Sequence, residues 1–76
     1  MEIFGNSIKC EPSDLAWITE QVSKMPHKHL IRGVLAKYSE VYASAEDGTL
    51  QQKGAARRNA NARLRVYVNN TLESLK

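Results

Sequence analysis

The chain has one cysteine, two prolines and, between Asp47 and Glu73, no acidic residue at all. Each shortage excludes something. With Cys10 alone no intramolecular disulfide can form, which points to a reducing compartment and a free thiol. The longest uncharged run, Val66 to Leu72, is broken by Asn69 and Asn70 and falls far short of the ~20 apolar residues of a membrane span. Met1 to Cys10 lacks the basic start and apolar run of a signal peptide, so a cytoplasmic protein with no membrane partner is expected. There is no glycine-rich phosphate loop, no Ser/His/Asp set and no carboxylate pair in an apolar setting. No catalytic residue, metal ligand or cofactor is therefore assigned, and an enzyme is not expected. Seventy-six residues make one domain at most, with a core so thin that idealised helix packing or a partner chain is needed to hold it.

What the chain does have is a long helical stretch from Thr49 to Leu75. Thr49 and Gln52 form the T-x-x-Q pattern of a capping box, and no proline follows. At 100° per residue Leu50, Leu64, Val68, Leu72 and Leu75 fall in one arc, with Ala60, Tyr67 and Thr71 beside it. Such a helix spans roughly 39 Å, longer than a domain this small is wide.

The remaining segments read as two further helices and an arm. Residues 1–12 hold Gly5, Asn6, Ser7 and Pro12 and form an irregular N-terminal arm, with a short strand around Glu2–Phe4 that lacks an obvious partner. Phe4 and Ile8 should pack on the helices. Residues 13–76 form a single helical domain. Its first helix starts at Ser13, carries Leu15, Ile18, Val22 and Met25 on one stripe with Trp17 off it, and stops at Pro26. A second helix runs from about His27 to Ala45, with Gly33 inside its stripe as a point of close packing and Gly48 as the left-handed residue that ends it. The fold class is all-α: three helices, a short first helix packed on a long antiparallel hairpin. The expected core is Leu15, Ile18, Val22, Leu30, Ile31, Val34, Leu35, Tyr38, Val41, Leu64, Val68 and Leu72. A homodimer along the second or third helix is a further expectation, because the longer helix overhangs the shorter.

Two patterns resemble catalytic or metal chemistry without completing it. His27 and His29 are two apart, which on a helix turns them away from each other. Tyr38 and Tyr42 share a helical face, but both lie in the apolar stripe, where tyrosines serve the core. The basic segment carries more. Lys53, Arg57, Arg58, Arg63 and Arg65 give residues 48–72 a charge of +5, with Asn59, Asn61, Asn69 and Asn70 interspersed. Arginine and asparagine without acid suit phosphates and base edges. Lys53, Arg57, Arg58, Asn61, Arg63 and Arg65 are therefore the candidate binding residues. The competing reading is a solvated helix end, with Glu46 or Asp47 folded onto Lys53 or Arg57, or Glu40 reaching Arg57.

Met25-Pro26, Leu30-Ile31-Arg32, Lys37-Tyr38 and the run from Ala56 to Arg65, with its Ala-Asn and Leu-Arg pairs, resemble a helical segment of phage and prophage replication proteins. The resemblance implies a mobile-element setting and a helical accessory region without the nuclease site. The expected function is a non-enzymatic small phage or prophage accessory protein that binds nucleic acid through the basic face. The alternative is a protein-binding adaptor or inhibitor that uses the same face against an acidic host protein surface.

Overall fold

Proline and the capping residues divide the chain much as their chemistry dictates. The computed structural model describes residues 1–74; Leu75, placed on the apolar arc above, lies outside them. Strands β1 (Glu2–Ile3) and β2 (Asn6–Ser7) form an antiparallel hairpin, followed by a 3-10 turn at Pro12–Asp14. Helices α1 (Leu15–Ser23), α2 (Lys28–Ala43) and α3 (Leu50–Ser74) come next. Pro26 separates α1 from α2, and His27 is still extended. The capping box forms at α3: the Thr49 amide donates to Gln52 Oε1 at 2.8 Å, and the Gln52 amide donates to Thr49 Oγ1 at 3.2 Å. The architecture is three helices, with α3 packed chiefly on α2 as an antiparallel hairpin and α1 packed on α3. The longest dimension, 41 Å, matches the ~37 Å that twenty-five helical residues span.

The core lies where the three helices and the hairpin meet. Ile18 and Val22 of α1, Ile31, Leu35 and Tyr38 of α2, and Ala60, Leu64 and Val68 of α3 are buried together with Met25. Leu15, Leu30, Val34, Val41 and Leu72 are half-buried against them. Within the arm, residues 2–7 form the hairpin, while residues 8–11 take no regular secondary structure. The arm's strand finds a partner in β2, Ile3, Ile8 and Cys10 join the core, and the Lys9 amide donates to Ser39 Oγ on α2 at 3.0 Å. Phe4, expected to pack, sits at the hairpin tip and is 59% exposed. Burial pushes the Cys10 thiol above its ordinary pKa.

Further expectations change on physical grounds. Leu50 is 88% exposed, because it opens α3 beyond the reach of α2. In the first half of α3 the buried positions are Ala56 and Ala60, small side chains suited to close helix approach, so the buried stripe does not run back from Leu64 to Leu50. Gly48 is not left-handed. A Cβ there would overlap Gln52 Oε1, the end of a flexible side chain, and crowd the Ala45 carbonyl at 3.2 Å, so a side chain at position 48 would have to displace Gln52. Gly33 is the converse case: a Cβ would meet nothing within 4 Å, so no helix packs on it.

Candidate nucleic-acid interface

The inner end of the basic line is tied to the start of α1. Arg57 donates from Nε to Asp14 Oδ2 at 2.6 Å and from Nη2 to Asp14 Oδ1 at 2.8 Å, a two-pronged ion pair. Asn61 Nδ2 donates to the same carboxylate at 3.4 Å, while its Oδ1 accepts from the buried Tyr38 hydroxyl at 2.5 Å. The Arg57 guanidinium holds the Asp14 carboxyl below the usual carboxylate range, against the opposing effect of burial. Burial, with Asp14 nearby, pushes the Tyr38 phenol far above its ordinary value. Arg57 and Asn61 thus join three helices through Asp14 and Tyr38. The acids expected to take Arg57 are engaged otherwise or exposed: Glu46 pairs with Lys9 at 3.4 Å, and Glu40 and Asp47 face solvent.

The other candidates fall on the outside of α3. Within residues 58–70, at 100° per residue, Arg65, Arg58, Asn69, Ala62, Val66, Asn59, Asn70 and Arg63 follow one another across an arc of about 160°, and Glu73 lies on the same arc beyond them, towards the C-terminal end of α3. Every one of them is exposed. Arg58 and Arg65 mark the edge next to α1, where the Arg65 guanidinium stacks 5.3 Å from the centre of the half-buried Trp17 ring. Arg63 marks the edge next to α2. Asparagines and small apolar residues lie between. Among the described residues no acidic group lies within ion-pair distance of Arg58 or Arg63. Lys53 is exposed near the end of the hairpin, beside Tyr42 and Glu46. The structure therefore gathers Arg58, Arg63 and Arg65 on one face, turns Arg57 and Asn61 inward, and leaves Lys53 apart.

Other features were missed or misread in the sequence. The interval Gln21–Ser39 is also free of acid and carries Lys24, Lys28, Arg32 and Lys37, a pattern hidden because it crosses two helices. Between α2 and α3 a mainly apolar groove of about 400 Å³ is lined by Leu30, Gly33, Val34, Lys37, Tyr67 and Thr71, among others. His27 and His29 do not point apart. His27 lies outside the helix, so the rings stack with centroids 5.5 Å apart; no third His, Cys, Asp or Glu joins them among the described residues. Tyr38 and Tyr42 stack at 6.4 Å, and the Tyr42 hydroxyl donates to Glu11 Oε2 at 3.4 Å. No helix among the described residues is long and apolar enough to cross a membrane. No protein-family model, curated protein or solved structure matches the chain.

Proposed function

We propose that the protein is a non-enzymatic accessory protein that binds nucleic acid through the outward face of α3. The observation that carries this reading is the stretch of that arc from Arg58 to Asn70, which holds no acid and has Arg58 and Arg65 on one edge, Arg63 on the other, and asparagine amides between. Two cationic edges about one helix width apart suit two rows of phosphates, and the amides between them suit base edges or sugars. Arg57 and Asn61 support the surface by fixing α3 against α1 and α2; they are not themselves contacts. The resemblance to phage and prophage replication proteins is the basis for placing the protein in a mobile-element setting.

Fluorescence anisotropy with labelled DNA at two salt concentrations tests the proposal. Wild type should bind at low salt, with an affinity that falls by about one unit of log–log slope for each phosphate contact. Arg58→Ala with Arg63→Ala should weaken binding and flatten that slope without unfolding the helix, since alanine is the better helix former. Absence of DNA affinity in wild type at low salt would end this reading.

One observation favours a second reading, a protein-binding adaptor. Gly33 costs α2 about 1 kcal/mol relative to alanine, and nothing in the fold requires it. It lies on the apolar α2–α3 groove, whose lining has Lys37 and no acid. An acidic helix or a second copy seated there would make use of its small size. Under that reading Gly33→Ala stabilises the free protein and abolishes a dimer seen by sedimentation, or weakens capture of one acidic partner. A wild-type protein that is monomeric at high micromolar concentration removes the homodimer.

A further inference from the structure

The tip of the N-terminal hairpin combines an unfavourable backbone with an exposed ring. The two-residue turn Phe4-Gly5 has φ of 50° and 80°, the left-handed pair that a type I′ turn demands. Glycine accepts this freely and asparagine accepts it well, but for a bulky residue it is an outlier. The ring recovers little through burial, being 59% exposed while Ile3 and Ile8 on either side are in the core. The fold thus gains less from phenylalanine at position 4 than it would from asparagine. The ring overlooks a recess of about 490 Å³ lined by Ser23, Met25, Pro26, Lys28 and Ile31. Lys24, exposed, follows Ser23. The lining has no acid; the nearest acids in sequence, Glu2 and Glu20, lie outside it.

We propose that this hairpin tip holds one unpaired nucleobase, stacked on Phe4 over the apolar recess, with Lys28 and Lys24 on the adjoining phosphates. An aromatic face beside a cationic rim is the arrangement by which single strands are held, since every base has a face to stack and every nucleotide a phosphate. Paired bases are already stacked on both sides and cannot reach the ring, so the site selects single-stranded segments. This inference rests on the nucleic-acid reading of α3 and adds to it a preference for unpaired strands.

Phe4→Asn separates the ring from the fold, because it turns the tip into Asn-Gly, the preferred type I′ pair. Thermal melting and anisotropy should be measured for wild type and the variant, with a short labelled single strand and the duplex of the same sequence at low salt. The variant should melt higher than wild type, while the preference for single strand over duplex falls roughly tenfold. An unchanged preference overturns the site and leaves the α3 reading standing. A variant that melts lower also overturns it, because the ring would then be serving the fold. If wild type binds neither strand, the α3 reading fails and the inference falls with it.

Discussion

Replacing Asp14 by asparagine tests how the long helix is held. The Asp14 side chain is only 14% exposed and takes both prongs of Arg57 together with Asn61. Hydrogen bonds to charged groups contribute about 1.5–3 kcal/mol when well buried. The Arg57 side chain is 41% exposed, so solvent screening puts the expected cost for Asp14→Asn at the lower end, roughly 1–2 kcal/mol. For a chain of this size that is a fall in Tm of about 4–16 °C. The pH dependence fixes the cause. The folded-state pKa of Asp14 is depressed, so its contribution is fully present above the unfolded value of about 3.9 and is lost as pH falls through the lower folded value. Melting curves of the two proteins should therefore differ by a constant amount above about pH 5 and converge under acid. Equal Tm values at neutral pH, or a gap that persists to low pH, would show that the ion pair does not hold α3 in place.

The core makes a blunter prediction: Leu35→Ala or Leu64→Ala should cost roughly 2–5 kcal/mol, enough to unfold much of a small domain, as read by circular dichroism. Gly48→Ala should dislodge Gln52 from the Thr49 amide and cost about 1 kcal/mol in chemical denaturation, with the loss shrinking in a Gln52→Ala background. Cys10, buried and with its pKa raised, should react with a thiol reagent at neutral pH only as fast as the fold opens, and at the free-thiol rate in denaturant.

Much of this fold was legible in the sequence because helices announce themselves locally. Pro26, the Thr49–Gln52 box and the apolar stripes of α1 and α2 act over three or four residues, and the structure has the three helices they imply. The hairpin was harder. Its turn is Phe-Gly, where Asn-Gly would have signalled it, and its strands are two residues long. The inner face of α3 was misplaced by part of a turn, since Ala56 and Ala60 score weakly as apolar while Leu50 scores strongly and has nothing to meet. The basic surface was half legible. Arg58 and Arg65, seven apart, share one flank by helical periodicity alone, but no local rule links Arg57 to Asp14, forty-three residues away. That pairing is a consequence of how α1 lies on α3, which only the tertiary structure supplies.

The most direct test of the account is an amide and side-chain NMR titration of the protein with a short DNA. Binding through the outward face of α3 predicts that Arg58, Asn59, Arg63, Arg65, Asn69 and Asn70 shift, while the Nε–H resonance of Arg57 and the amide of Asn61 stay in place because Asp14 and Tyr38 hold them. Shifts confined to Leu30, Gly33, Val34 and Tyr67, or a spectrum that DNA leaves unchanged, would contradict it.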